Sequence, residues 1–470
     1  MKADTTARAK LIEGPIGRTL FLFSLPILGS NVLQSLNGSI NSIWVGHYLG
    51  EAALTATSNA NTILFFLLAL VFGIGMAAAI LVGQDIGAHK IDAAKRVVGT
   101  SATFFVAIAV LISIFGALLT GPVLAWMRTP PDAMPFAVAY MRILFVALPF
   151  VFTMTFLMMV LRGAGDSRTP FWFLLLAVLL DIALNPPLIF GFGPLPALGI
   201  AGSATATVIA NLVAATALLL FMYRRKHFLW LHRSEWRYLR PDRAVLGALI
   251  RKGIPMGLQM IVLASSSIVM ISLVNRFGSQ TTAAFGAAMQ LWNYVMMPAL
   301  AVGMAASAMA AQNVGARRWD RVRRTAVAGV AYNLVMTGAL VAAVYVFNRP
   351  ALALFLPAAS EALATAQHIN AIVVWSFMLL GIGMVLGGVV RATGAAVPPL
   401  VVLFIALWLV RIPFAWLLIP RSQADAIWWS FPVGSGVAAL LMWLYYRYGR
   451  WQGARMLPDP LVVASTPAER

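Results

Sequence analysis

Residues 171–190 read FWFLLLAVLLDIALNPPLIF. Twenty residues at about 1.5 Å rise reach about 30 Å as a helix, the thickness of a bilayer's hydrocarbon core. The single ionisable residue, Asp181, is the eleventh of the twenty, so a carboxyl group is set near mid-membrane. An acidic residue there costs about 2.5–3.5 kcal/mol on insertion scales, and such residues mark ion and substrate paths. No basic residue lies at the same depth in the first half of the chain, which favours function over a structural ion pair. Asn185 follows at i+4 on the same face. Pro186 and Pro187 carry no N–H for the carbonyls of Ile182 and Ala183. An acid, an amide and freed carbonyls at mid-bilayer predict an ion site in a transporter with interrupted helices.

The rest of the chain supports a membrane setting. Of 470 residues 61% are hydrophobic and 10% charged, and the mean hydropathy is +0.86. No soluble domain needs that much apolar surface, so the fold class is an all-α polytopic membrane protein. With no Cys there is no disulfide framework and no thiolate chemistry. The dipeptide Gly-Lys is absent, so no phosphate-binding loop of the ATPase type exists and energy must come from a gradient or a partner. The five His show no metal spacing and no nucleophile–base pattern occurs; no catalysis, resident metal or cofactor is expected. The first apolar run, 19–45, is too long for a cleavable signal, and none is expected.

Apolar segments recur twelve times, near 19–45, 54–82, 97–119, 137–161, 171–190, 198–222, 247–275, 283–310, 325–347, 364–390, 398–419 and 426–446. Charge alternates between the connections. One set of loops, with both ends of the chain, holds 28 of the 34 Lys and Arg; the other holds Arg128, Arg276, Arg349 and Arg421. By the positive-inside rule both termini are cytoplasmic. The net charge of +19 is thus topological and suits membrane lipids, and nucleic acid is not an expected partner.

The chain is also duplicated. Gly75–Ala88, GMAAAILVGQDIGA, aligns with Gly303–Ala316, GMAASAMAAQNVGA. Pro26 pairs with Pro255, Arg162 with Arg391, Gly165 with Gly394 and Pro170 with Pro399. Six spans per repeat preserve orientation, so two six-helix lobes are expected, related by an axis along the membrane normal. The lobes are 1–222 and 253–447, with a basic cytoplasmic linker at 223–252 and a cytoplasmic tail at 448–470. Ser30, Gln34, Asn37 and Asn41 form one stripe on the first span, which amides in lipid require to face protein or a cavity. Gln34 and Asn37, with Gln259 and Gln290 of the second half, are candidate lining of a substrate cavity. Arg411 sits inside the eleventh span without an acid in its own lobe and reads as bonding carbonyls or snorkelling.

Several stretches together resemble the multidrug and toxic compound extrusion (MATE) family. They are VGQDIGA and AAQNVGA after the second and eighth spans, LRGAGDSRTP at 161–170, SIWVGHYLG at 42–50, TPPDAMPFAVAYMRI at 129–143, NPPLIFGFG at 185–193 and LVRIPFAWLL at 409–418. The resemblance implies twelve helices in two lobes and export of cationic, often aromatic compounds in exchange for protons or sodium. It also implies a cation-coupling site at Asn41, Asp181, Asn185 and Thr207. Here Asn41 stands where the family has Asp, and the order Asp181–Asn185 is reversed. The family's Asn in the fourth span has no counterpart in 136–165, and the Glu of one branch falls near Leu263.

With one carboxylate in place of two, proton coupling through Asp181 is the first expectation. Sodium held by Asp181, Asn185 and Thr207 is the second. The expected function is a secondary antiporter exporting organic cations by alternating access. The alternative is a flippase for lipid-linked saccharides; a receptor or scaffold would need a soluble domain that no loop is long enough to hold. A monomer in the bacterial inner membrane is expected from the resemblance.

Overall fold

The computed structural model describes residues 11–191, 196–356 and 360–457. Among these the chain is helical throughout, with no strand. The first half forms α1 (Ile16–Leu49), α2 (Glu51–Gly87), α3 (Ile91–Trp126), α4 (Met134–Gly163), α5 (Arg168–Phe190) and α6 (Ile200–Arg224). The second forms α7 (Arg243–Val274), α8 (Ser279–Gly315), α9 (Trp319–Val346), a short α10 (Asn348–Leu352), α11 (Glu361–Val373), α12 (Ser376–Arg391), α13 (Val397–Phe404), α14 (Ile412–Ser422) and α15 (Asp425–Tyr448). Among the described residues eleven stretches are each long and apolar enough to cross a membrane, and the pair α11–α12, bent by 46°, makes a twelfth if taken as one broken span. The twelve apolar segments of the sequence each fall on one of them. The bend sits at a tight turn where the Phe377 N–H reaches Val374 O at 3.2 Å and the Ser376 hydroxyl donates back to Val373 O at 2.7 Å.

Packing divides the chain into two units, Gly29–Ile250 and Met1–Leu28 with Arg251–Arg470. The cuts fall inside α1 and α7, the opening helices of the two repeats, rather than at the ends of the expected linker. In the first unit α4 is the central helix, packed on α2, α3, α5 and α6, and it buries Phe145, Phe152 and Phe156. In the second unit α12 packs on α8, α9 and α15. The fourth span of each repeat is therefore the hub of its unit. The second unit's core holds an aromatic cluster in which Trp292 meets Phe285 at 5.5 Å, Phe377 at 5.6 Å and Phe431 at 5.0 Å. The Trp292 indole N–H donates to Asn370 Oδ1 at 2.9 Å, so its one polar group is satisfied.

The repeat survives in detail. Both α2 and α8 run 37 residues. Both are followed by a residue in the left-handed region, His89 with φ 58° and Arg317 with φ 57°. Within 223–252, read from sequence as a linker, residues 243–252 are already α7. Asp242 starts that helix early, because its Oδ1 accepts from Ala244 N at 2.9 Å and Val245 N at 3.2 Å. The segment ahead of α7 is pinned to α3 by Lys95–Glu235 at 2.6 Å, Arg96–Asp242 at 3.7 Å and Thr103 Oγ1 to Leu239 O at 2.7 Å. The segment ahead of α1 is pinned to the start of α9 through its carbonyls. Arg318 donates to Ile12 O at 2.7 Å and Arg321 to Gly14 O at 3.0 Å.

Candidate functional site

Asp181 lies two-thirds along α5 and is 2% exposed. Its carboxyl is the centre of a polar cluster drawn from three helices. Asn41 of α1 donates from Nδ2 to Asp181 Oδ2 at 2.8 Å, and Thr207 of α6 donates from Oγ1 to Asp181 Oδ1 at 3.0 Å. Asn185, one turn on in α5, donates from Nδ2 to Asn41 Oδ1 at 2.9 Å and to the Asp181 carbonyl at 2.7 Å. These bonds fix both amides, since reversing Asn41 would set its oxygen against the carboxylate and its NH2 against another NH2. Asn37, one turn before Asn41, adds a further hydrogen bond to the carboxyl.

Local structure explains how these groups meet. Asn37 and Asn41 share a face of α1 by their i, i+4 spacing, as do Asp181 and Asn185 on α5. Gly202 lets α6 close on α5: a Cβ there would overlap the Leu188 carbonyl. That approach brings Thr207, five residues on, to the carboxyl. Pro186 and Pro187 lie inside α5, which stays helical to Phe190. The expected helix interruption is therefore corrected: the donors of Asn185 and Asn41 tie this turn to its neighbours, and the helix passes through the prolines.

The charge at Asp181 is met by neutral donors. Among the described residues the ion pairs are Lys95–Glu235 and Arg96–Asp242, and His368 Nε2 stands 2.9 Å from Asp425 Oδ1; none of these touches it. Two buried acceptors beside it, Asn37 Oδ1 and Asn185 Oδ1, have no donor. A buried acceptor left unmet costs about 1–3 kcal/mol. The cluster is thus rich in oxygen lone pairs around one carboxylate, an arrangement that accepts a proton or a small cation. Tyr140 of α4, buried, stands near enough to interact with the Asp181 charge. Sequence reading missed Tyr140, because a lone Tyr in an apolar helix has no spacing that ties it to α5.

The other expected residues are not gathered there. Gln34 is exposed on α1. Gln259 is 5% exposed and bonded at both ends. It donates to Pro255 O at 3.3 Å and Ala396 O at 3.4 Å, and accepts from Arg391 Nη1 at 2.8 Å. Gln290 is exposed on α8. Among the described residues no cluster of three His, Cys, Asp or Glu is placed to hold a metal.

Arg411 departs from its sequence reading. Its side chain forms none of the expected carbonyl bonds: it is 7% exposed, and its Nε and Nη2 are buried without a hydrogen-bond partner. It ends a π-helical turn, Ile405–Arg411, between α13 and α14. The ring of Pro413 excludes an ordinary bond to the Leu409 carbonyl, and the chain widens just before it. The guanidinium lies over Phe431 with Cζ 3.4 Å from the ring centroid. That contact is worth about 2 kcal/mol in a desolvated site. Taking one ion out of water costs several kcal/mol, so the ring alone leaves the charge undercompensated.

Comparison with known proteins accords with this geometry. The MatE family model matches residues 26–186 and 255–417, most of the chain and one stretch per repeat, each starting at the proline inside the opening helix. A probable multidrug resistance protein of Bacillus subtilis, YoeA, is 37% identical over 435 residues, 92% of this chain and 94% of its own. A FAD transporter of Shewanella oneidensis is 26% identical over 351 residues, 74% of this chain and 76% of its own. A crystal structure of a MATE protein in complex with MaL6 matches the fold with a TM-score of 0.87 at 20% identity, covering 95% of this chain and 98% of that one. The family is one of transporters, not enzymes. With a duplicated six-span pattern, a matching fold and a family match in both halves, this chain belongs to the MatE, or multidrug and toxic compound extrusion, family.

Proposed function

We propose that the protein is a secondary antiporter that exports organic cations in exchange for protons carried by Asp181, with the two repeats alternating access across the bacterial inner membrane. Both termini then face the cytoplasm, as the distribution of Lys and Arg requires. The observation that carries the reading is one buried mid-span carboxylate held by Asn41 and Thr207 and by no cation among the described residues. Such a group changes its charge state without breaking an ion pair. Protonation silences the charge when the site faces the acidic side, and release restores it when the site faces the other. The relative named as a multidrug resistance protein supports this substrate class.

The test is ethidium efflux from energised cells, wild type beside Asp181→Asn, with and without a proton uncoupler. Efflux should need both Asp181 and the gradient, and the variant should reach the membrane at near wild-type amounts because it removes a charge and no packing surface. Efflux by Asp181→Asn at the wild-type rate would overturn the assignment.

A second reading, sodium as the coupling ion, draws on the unmet oxygens Asn37 Oδ1 and Asn185 Oδ1 beside the carboxylate and Thr207 Oγ1. Oxygen ligands around a single negative charge suit a monovalent hard cation. Uncoupler-resistant efflux that follows a sodium gradient would select it. If no arm shows efflux, export of FAD, prompted by the Shewanella relative, and flipping of polyprenyl-linked sugars are the next assays.

A further inference from the structure

The second repeat holds a buried cation that the coupling reading leaves unused. With Pro170 set against Pro399, Arg411 falls opposite Ile182, next to Asp181. The same span of the repeat thus carries a buried acid in one half and a buried base in the other. Asp181 is wrapped by hydrogen-bond donors; at Arg411 one edge of the guanidinium lacks acceptors. Its Nε and Nη2 are buried and without a partner, and no described acid pairs with it.

Those two nitrogens form one edge of the guanidinium. Their N–H bonds run parallel, at the spacing of two oxygens on a carboxylate or phosphate. Phe431 covers the flat face, at 3.4 Å from Cζ to the ring centroid, and so leaves the edge to do the binding. Gly434 of α15 presses on the stem: a Cβ there would stand 3.0 Å from Arg411 Cβ and 3.3 Å from Cδ. The fork is therefore held in place before any ligand arrives. It sits at the end of a π-helical turn, a distortion that recurs at functional sites.

We propose that Arg411 anchors an oxyanion-binding site in the second repeat, which takes a carboxylate or phosphate group edge-on at Nε and Nη2. The group comes from a transported solute or from a lipid headgroup. Only the solute source rests on the export reading above, and binding is measured without a gradient, so failure of export and failure of binding are separable.

The probes are two dyes that differ at one group: rhodamine 110, with a free carboxylate, and rhodamine 123, its methyl ester. Fluorescence anisotropy on the purified full chain should show rhodamine 110 bound at least tenfold more tightly by the wild type than by Arg411→Gln, with rhodamine 123 changed less than twofold. Arg411→Lys keeps the charge and removes the fork. It should stay monodisperse, melt within a few degrees of wild type and still lose most of that tenfold, which decides the matter if the Gln variant fails to fold. The lipid arm compares phosphatidylglycerol with phosphatidylcholine. A rise in melting temperature with phosphatidylglycerol over phosphatidylcholine, present in wild type and absent from Arg411→Lys, assigns the site to an anionic lipid headgroup whose phosphate no choline neutralises. No preference for rhodamine 110 together with no lipid effect overturns the proposal, as does an equal loss of both dyes or full binding by Arg411→Lys.

Discussion

Asn41 decides what kind of site Asp181 can be. It donates to the carboxylate at 2.8 Å while its oxygen accepts from Asn185 at 2.9 Å, so it relays between two residues of α5. Asn41→Asp replaces that donor with a second carboxylate at the same distance. Two carboxylates so close do not both ionise unless a cation joins them. We expect efflux by this variant to become sodium-dependent, measured as ethidium export across a sodium titration at fixed proton gradient; an unchanged sodium response would show that the four-residue cluster does not act as one site. Thr207→Val removes the donor to Oδ1 with little change in volume. It should slow export about tenfold or more at unchanged expression, since a net hydrogen bond to a charged group is worth about 1.5–3 kcal/mol and about 1.4 kcal/mol is tenfold in rate. Trp292 carries a comparable bond in the second unit, where Asn370→Ala strands its buried N–H. About 1–3 kcal/mol of stability should be lost there, seen as a lower melting temperature.

At the scale of elements, the contact between α5 and α6 sets the site's dimensions. Gly202 allows it, because a Cβ at that position would meet the Leu188 carbonyl and the Ile189 nitrogen at 2.8 Å. Gly202→Ala is a good helix former that should nonetheless destabilise, since overpacking against backbone costs about 1–3 kcal/mol. The helices must part by about an ångström to restore van der Waals contact, which lengthens the 3.0 Å bond from Thr207 to Asp181. The expected outcome is a fall in export at least as large as that of Thr207→Val, with a lower melting temperature that Thr207→Val does not share. Wild-type export by Gly202→Ala would show that the α5–α6 distance does not control the site.

For the whole molecule, each repeat opens with a segment fastened near the membrane surface, one by ion pairs and one by carbonyls. Burial raises the Glu235 carboxyl, but the hydrogen bonds from Lys95 and the His232 amide outweigh it and hold the carboxyl below its ordinary value. A depressed carboxylate contributes stability that is complete above its unfolded pKa, about 4.3, and is lost as pH falls through the lower folded value. The difference in melting temperature between wild type and Glu235→Gln should therefore be largest near neutral pH and vanish on acidification below that range. The carbonyl-held segment depends on Arg318 and Arg321. Their joint replacement by Ala should expose the chain near Leu11–Gly14 to protease, read by limited proteolysis with N-terminal sequencing, while Glu235→Gln leaves that cleavage unchanged.

Much of this was legible in order along the chain. Hydrophobic run lengths place the twelve stretches that, among the described residues, are long and apolar enough to cross, because a bilayer demands about 20 apolar residues wherever the chain crosses it. The duplicated motifs reveal two equivalent halves, and a lone acid amid apolar residues marks the helix proposed to couple, because only function or pairing offsets its cost. Proximity across helices was not legible. That Asn37 and Tyr140 stand by Asp181, that Gln259 serves Arg391, and that α1 and α7 pass from one packed unit to the other all depend on helix rotation and crossing, which local spacing leaves free. Arg411 shows the division most sharply. The sequence by itself determined that a base lies inside the eleventh span. Only the tertiary structure decided that Phe431 covers its face while its edge stays without an acceptor, because pairing depends on what neighbouring helices present at that depth.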